Sequence, residues 1–565
     1  MDTQLRLSLA AGFCLLPLAP LTLRLADLQV REHRDLASRA SEEFNRSGED
    51  IVPRADILDR SGNVLAQSAP AWSCFADKRM VQDPGKLAAR LSPLLKLSEA
   101  EFRRKWREGG RIAWLKTRLS YPESLAVAQA RLAGIGIVSR QDRFYPNGNL
   151  ARGVLGLVSA DGRGAAGVEL SQDKLLSGKP VKFSLFRDGA GQTVSRTSEK
   201  APPAPKPLRL TLDRNVEYYA EEALREAAAR FSIKSGFIAV QDPNTGEILA
   251  MAEYPQTALK NGVVQNAFEP GSTFKVVAAA AAVENSLVGE SETFFCENGS
   301  FEVAPGVVIH DHTPQGALTL GGILEQSSNI GIAKVAERVG AARFYRMSRA
   351  FGFASRTPVA LPGETAGTMK SLAQLNRVGL ASASYGYGVA VSALQALNAY
   401  SAIANGGTLW EPKLILDGAP PIAIRRVAST RTMAALRAML EGVVERGTGA
   451  PAGIPGYRVA GKTGTSRRLD PVTKKYSLTS YNASFIGFLP AGKPLWTILV
   501  VMQDPRGQYY GAEVAAPFFA KFGRQLLALK GVPIDQEIAS RPAPASRGLP
   551  QGRLAREPRP LPRPL

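Results

Sequence analysis

Histidine is nearly absent from this chain: only His33, His310 and His312 occur among 565 residues. A Ser-His-Asp triad would have to be built on one of the three. His310 and His312 flank Asp311, but two histidines at i and i+2 without further ligands at a recognisable spacing are weak grounds for a metal site. They read as ordinary loop or strand histidines, and no metal or cofactor is expected. Cysteine is as scarce. Cys14, Cys74 and Cys296 form no C-x-x-C pair, which excludes a zinc ribbon or a thioredoxin-like motif. Cys74 and Cys296 read as free, buried thiols. Zinc-finger spacing and RNA-binding aromatic motifs are also missing, so nucleic acid is not an expected partner. Acidic residues fall short of basic ones, 50 against 70, for a net charge of +20. That charge favours an anionic surface such as a membrane or a cell-wall polymer. Part of it sits in the stretch Arg541–Leu565, which holds six arginines and one glutamate.

A hydrophobic content of 45% and a length of 565 residues allow two or three domains with a large core. Leu7 to Leu23 carries no charge. As a helix it would span ~26 Å, slightly under a hydrocarbon core of ~30 Å. An uncleaved anchor, a cleaved signal peptide and a buried helix compete. No small-x-small cleavage site follows, which favours the anchor.

Arg54 to Ala66 reads as strand, Ser-Gly-Asn turn, strand. Residues 80–135 read mostly helical, and 195–207, with four prolines, reads as a linker. Leu208–Leu212 alternates like a strand, Asn215–Arg230 is a helix, and 236–242 with 247–251 forms a hairpin around Pro243-Asn-Thr-Gly246. Three late strands are expected at 457–465, 483–489 and 496–503. The fold class is α+β, an antiparallel sheet flanked by helices. The stretch from about Asp535 is rich in Pro and Arg and is expected to be disordered. The predicted division is 1–24 anchor, 25–207 non-catalytic domain, 208–534 catalytic domain and 535–565 tail.

The chemistry concentrates in three short signatures. Glu269-Pro-Gly-Ser-Thr-Phe-Lys275 runs into the apolar segment Val276–Val283 and puts a hydroxyl and an amine three residues apart at a helix start. Serine needs a base, and a lysine held neutral by burial and by a second ammonium can serve. The helix N-terminus favours the oxyanion that follows. Ser327-Ser-Asn329 falls between two helical runs, 318–326 and 330–339. There Ser327 can relay a proton, and Asn329 can bind a substrate amide and hold Lys275. Either Ser328 or Asn329 can also cap a helix. Lys462-Thr-Gly-Thr465 lies on a strand that can pair with an extended peptide. Gly464 lets substrate approach the backbone, and Thr463 and Thr465 can bind a carboxylate beside Lys462. The N–H groups of Ser272 and Thr465 are candidates for an oxyanion hole. Decoys exist: Ser171-x-x-Lys174, Ser480-Tyr-Asn482, Ser61-Gly-Asn63 and Lys234-Ser-Gly236. They fail on order and context, whereas the chosen trio is ordered with steps of 55 residues (272 to 327) and 135 residues (327 to 462).

With Tyr385-Gly-Tyr-Gly388 and Ser327-Ser-Asn-Ile-Gly-Ile-Ala-Lys334 added, the chain resembles the class B high-molecular-weight penicillin-binding proteins of the division type. The resemblance covers nearly everything from residue 50 to 530, with Arg54–Ala66 and Gly167-Val-Glu169 resembling the pedestal, although Ala55 stands where the family usually has glycine. It implies a transpeptidase domain behind an elongated α/β pedestal and an N-terminal membrane anchor. It implies a serine-type D,D-transpeptidase that joins stem peptides ending in D-Ala-D-Ala during septal wall synthesis. Ser272, Lys275, Ser327 and Lys462 would be catalytic, and Asn329, Thr463, Gly464 and Thr465 substrate-binding. It also implies acylation of Ser272 by β-lactams, a single-pass position in the bacterial cytoplasmic membrane with the catalytic domain outside, and partnership with a polytopic septal glycosyltransferase and other division proteins. No Glu-Asp-x-x-Phe glycosyltransferase signature precedes residue 200, against a bifunctional enzyme. A D,D-carboxypeptidase or β-lactamase-type acyl-serine hydrolase is the alternative, and a non-catalytic β-lactam sensor or scaffold is a third reading that the intact trio disfavours.

Overall fold

The computed structural model describes residues 18–36, 45–50 and 53–535, except 160, 179–180, 188–192, 199–203, 471–472 and 474, with a few isolated positions before residue 39. Eight of the seventeen positions of the run Leu7–Leu23, and the tail beyond Asp535, lie outside the described residues. Among the described residues no helix is long and apolar enough to cross a membrane; Leu18–Ala26 has nine residues.

The chain forms two compact units. One comprises Met1–Ala55, Ser68–Asp142 and Ser177–Pro205. Its core gathers Leu87, Leu91 and Leu95 of the helix Pro84–Leu95, Phe102 of Glu99–Glu108, and Ala113, Leu115 and Leu119 of the strand Ile112–Leu119. That strand is a departure from the mostly helical reading of 80–135. Ala113, Leu115 and Leu119 all point inward at even spacing, a period-2 signal hidden among basic residues. Asn45–Asp50 and Thr193–Ser198 both pair with Val181–Arg187, so part of the expected linker 195–207 is a strand.

The other unit comprises Asp56–Gln67, Arg143–Leu176 and Lys206–Leu565. Asp59 closes the expected Ser-Gly-Asn turn by accepting from Ser61 N, Asn63 N and Asn63 Nδ2 at 2.8 Å each. Arg143 and Glu169 form a buried ion pair at 2.6 Å.

Helix α1 (Arg214–Phe231) is N-capped by Asp213 and leads into β1 (Ser235–Gln241) and β2 (Ile248–Tyr254), the expected hairpin. A 3-10 turn, Gly271–Phe274, opens α2 (Lys275–Glu284). After β3 (Val307–His310) come α3 (Leu320–Glu325) and α4 (Asn329–Val339). Helix α5 (Ala393–Ala404) is buried over its whole length. The three late strands are β4 (Ala460–Leu469), β5 (Tyr476–Leu489) and β6 (Trp496–Gln503), followed by α6 (Ala516–Leu529).

The five strands β1, β2, β4, β5 and β6 form one antiparallel sheet in the order β2-β1-β6-β5-β4. Strand β6 is buried at all eight positions, as a central strand covered on both faces must be. Strand β4 is an edge. Among the described residues its only partner in the sheet is β5. Helix α2 is alanine-rich because it is enclosed on every side: Val276 to Ala282 are 0–1% exposed. Small side chains let neighbouring elements close over it, and alanine supplies the helix propensity.

Candidate active site

The first motif folds as a 3-10 turn running into α2. In a 3-10 turn residues i and i+3 eclipse, so Ser272 and Lys275 share a face. Gly271 begins the turn at φ +56, a left-handed conformation that favours glycine. Tyr400 of α5 fastens the turn by donating from its hydroxyl to Thr273 O at 2.8 Å. Ser272 is half-buried, while Lys275 is 0% exposed.

The second motif forms the junction between α3 and α4. Ser327 N–H donates to Leu324 O at 3.3 Å and Ser328 N–H to Ile323 O at 3.0 Å. That is a Schellman closure of α3. Ser327 occupies its left-handed position at φ +58, where glycine is usual. Ser328 then caps α4 by accepting from Gly331 N at 2.9 Å.

The third motif lies on the edge strand. Lys462 is 0% exposed and reaches inward from β4. Its Nζ donates to Ser327 Oγ at 2.9 Å and to Thr463 O and Oγ1 at 3.3 Å. Lys275 Nζ donates to Ser327 O and, at 3.2 Å, to Ser327 Oγ. Two buried amines from two motifs therefore meet on one hydroxyl of the third.

Burial holds the Lys275 ammonium well below the usual lysine range, and the charge of Lys462 pushes it lower, against smaller opposing effects of Asp311 and Cys296. Lys462 is brought down to about 7 by burial alone. Two ammonium groups side by side away from water oppose each other's charge, so the pocket favours the neutral form of Lys275.

The remaining predicted residues frame this centre. Thr463 is buried and shares a 2.9 Å hydrogen bond with Thr448. Thr465 accepts from Gly511 N–H at 2.9 Å. Asn329 donates its amide to His310 O at 2.9 Å, not to Lys275. Gly464 differs from its expected surroundings. A Cβ there would stand 2.4 Å from Ser484 Oγ and 2.9 Å from Pro270 O and Thr273 Cγ2. What glycine admits at this position is the turn carrying Ser272. The same turn touches the strand again at Gly271, where a Cβ would lie 3.0 Å from Thr465 O.

Residues 236–523 match the penicillin binding protein transpeptidase domain, and residues 49–210 match the penicillin-binding protein dimerisation domain. The chain belongs to the penicillin-binding protein transpeptidase family. It is 31% identical over 552 residues to the probable peptidoglycan D,D-transpeptidase PbpC of Pseudomonas aeruginosa, covering 93% of this chain and 95% of that protein. It is 31% identical over 538 residues to the peptidoglycan D,D-transpeptidase FtsI of Escherichia coli K12, covering 91% and 90%. Among solved structures, penicillin binding protein 3 of Mycobacterium tuberculosis, complexed with ampicillin, superposes with a TM-score of 0.66 at 27% identity, covering 88% of this chain and 98% of that one. With both domains present and these relatives, this is a class B penicillin-binding protein.

Several residues of this penicillin-binding protein's site escaped the motif reading. Glu269 accepts from Tyr476 OH and Gly388 N–H at 2.8 Å each, and burial raises its carboxyl. Ser466 donates to Glu269 O at 2.7 Å. Tyr481, Tyr509 and Tyr510 stack at 4.3 and 4.4 Å between ring centroids, and His312 continues the row 4.7 Å from Tyr510. Asp311 binds the second motif directly: it accepts from Ser328 Oγ at 2.5 Å, from Asn329 N–H, and from Ile330 N–H at 3.0 Å. In the sequence Asp311 reads only as the middle of a histidine pair. Its distance of 17 residues from Ser328 carries no periodic signal. Cys74 and Cys296 are free and buried, as expected.

Proposed function

We propose that this protein is a peptidoglycan D,D-transpeptidase that joins stem peptides of neighbouring glycan strands through an acyl-serine on Ser272, and that β-lactams acylate the same serine. The observation that carries this reading is the convergence on Ser327 Oγ of two fully buried amines, Lys462 and the Lys275 that follows Ser272 by one 3-10 turn.

In the proposed reaction neutral Lys275 takes the proton of Ser272 as its Oγ attacks the carbonyl of the penultimate D-Ala. The oxyanion is met by the N–H groups of Ser272 and Thr465, beside the positive end of α2. As the C–N bond breaks, the proton reaches the departing D-Ala amine through Ser327, which touches both amines. The acceptor amine then attacks the acyl carbonyl and gives a proton to the same network, which returns it to Ser272 Oγ as the acyl–Oγ bond breaks. The charged Lys462, with Thr463 and Thr465, binds the terminal carboxylate of the donor peptide. Asn329 holds a peptide amide. Gly464 keeps the strand within reach of the nucleophile. The free edge of β4 suits an extended peptide. No cofactor is required.

The reading extends to place and partners. The uncharged run Leu7–Leu23 supports a single-pass anchor within 1–24, with 25–207 as the pedestal and 208–534 as the transpeptidase outside the cytoplasmic membrane. The motif resemblance to division-type penicillin-binding proteins, through Ser327-Ser-Asn329 and Tyr385-Gly-Tyr-Gly388, supports work at the septum beside a polytopic glycosyltransferase and other division proteins.

A fluorescent penicillin tests the chemistry. The purified protein should label covalently and Ser272→Ala should not. Label that persists on Ser272→Ala puts the nucleophile elsewhere. Lys275→Ala should acylate more slowly by about 10²–10⁴-fold or more; a near-normal rate removes Lys275 from the role of base. Imaging of the tagged protein in dividing cells tests the septal assignment.

A further inference from the structure

The serine at the centre of the lysine pair holds a conformation that its own side chain disfavours. Ser327 sits at φ +58, and for an L-residue with a Cβ the left-handed region is strained. Such a residue persists only where its surroundings over-determine it. On its N-terminal side the Schellman bonds from α3 supply part of that hold. On its C-terminal side the hold comes from outside the motif. The carboxylate of Asp311 accepts Ser328 Oγ, Asn329 N–H and Ile330 N–H, and the neighbouring His310 O accepts Asn329 Nδ2. Four hydrogen bonds thus stitch the end of β3 to the three residues that follow Ser327. The carboxylate also lies at the positive end of α4, where a negative charge is stabilised.

Charge makes Asp311 more than a clamp. The groups whose fields reach Lys275 come from three different elements. Lys462 comes from β4, Asp311 from the residue after β3, and Cys296 from the loop after Thr293–Phe295. Cys296 is itself held toward its neutral thiol by burial. Asp311 is therefore the carboxylate among these groups, opposing the ammonium of Lys462 at the base.

We propose that Asp311 is a positioning residue for acylation: its carboxylate holds Ser327 left-handed with Oγ between Lys275 and Lys462. This rests on the acyl-serine reading above. Asp311 does not touch Ser272 or the reacting carbonyl in this account; it acts through Ser327 and Lys275.

The test uses the full chain, with Asp311→Ala and Asp311→Asn, and measures the second-order rate of acylation by fluorescent penicillin across pH. Asp311→Ala loses both clamp and charge, and acylation should fall by about 10–100-fold, the scale of a displaced supporting group. Asp311→Asn keeps one acceptor oxygen for the Asn329 and Ile330 N–H groups and loses the charge together with the oxygen that accepts Ser328 Oγ. It should acylate faster than Asp311→Ala. Its acid limb, where Lys275 must lose a proton to act, should move to lower pH, because an anion that favoured the ammonium is gone. An acid limb in Asp311→Asn that coincides with wild type overturns the proposal, whatever the loss of rate. So does wild-type acylation in Asp311→Ala. If Asp311→Ala does not fold, the profile of Asp311→Asn decides alone. Wild-type protein that fails to label at Ser272 overturns the acyl-serine reading instead, so the two failures are distinguishable.

Discussion

Ser327 shows how much one side chain can be asked to do. It closes α3 in the position where glycine is usual, accepts both buried amines on its hydroxyl, and offers its carbonyl to Lys275. Function and local stability pull in opposite directions there. Ser327→Gly and Ser327→Ala both remove the hydroxyl, so both should lose acylation by about 10²–10⁴-fold. They differ in backbone strain alone. Ser327→Gly should be the more stable of the two by about 1 kcal/mol, read as a difference between their thermal or urea unfolding midpoints. Equal midpoints would mean that the left-handed conformation carries no strain in the folded protein.

The elements of the two units were unequally legible. Helix α2 and strand β4 announce themselves, one by an alanine-rich apolar run and the other by its Lys-Thr-Gly motif. Their boundaries lie within a few residues of expectation. The strand Ile112–Leu119 did not, because its exposed face is basic and its neighbours are helical. Gly464 was legible as a close approach, but its direction was not. Alternation along a strand says that two faces exist and leaves open which faces what. The Tyr385–Gly388 turn is a further case. Its glycines are visible in the sequence, yet only packing says what they avoid. Gly386 has φ +83, and a Cβ there would lie 2.2 Å from Gly271 O, beside the nucleophile turn. Gly386→Ala should destabilise the unit by about 2–4 kcal/mol, from left-handed strain and overpacking together. It should also slow acylation in whatever fraction remains folded. A variant with a wild-type melting temperature and acylation rate would refute this buttress.

In the unit that carries the site, buried carboxyls join the segment Arg143–Leu176 to α1, α1 to β2, and β2 to the backbone at Gly262. Ala151 N–H donates to Glu221 Oε1 at 2.9 Å, Met251 N–H to Glu217 Oε2 at 2.7 Å, and Gly262 N–H to Glu253 Oε2 at 2.7 Å. Burial raises all three carboxyls, Glu217 further through the charges of Glu221 and Glu253, and Glu253 reaches about 7. The folded state therefore keeps protons that the unfolded chain releases. The stabilisation by protonated Glu253 is complete below its ordinary 4.5 and is lost as pH rises through about 7. The shift corresponds to about 3 kcal/mol at about 1.36 kcal/mol per unit. Glu253→Gln keeps an acceptor and cannot ionise, so it should unfold at a higher temperature than wild type at pH 8 and show little advantage at pH 5. Calorimetric melts at the two values check this, and a gain equal at both would remove Glu253 as the titrating group. Linear order carried the proposed chemistry. Three short motifs point to the proposed nucleophile, base and second amine, because residue type and local helical or strand geometry define what each can do. Their convergence on Ser327, the clamp by Asp311 and the protonation of the glutamates were settled by folding. Each depends on a desolvated contact between residues distant along the chain, and neither burial nor the field of a remote charge is written in local sequence.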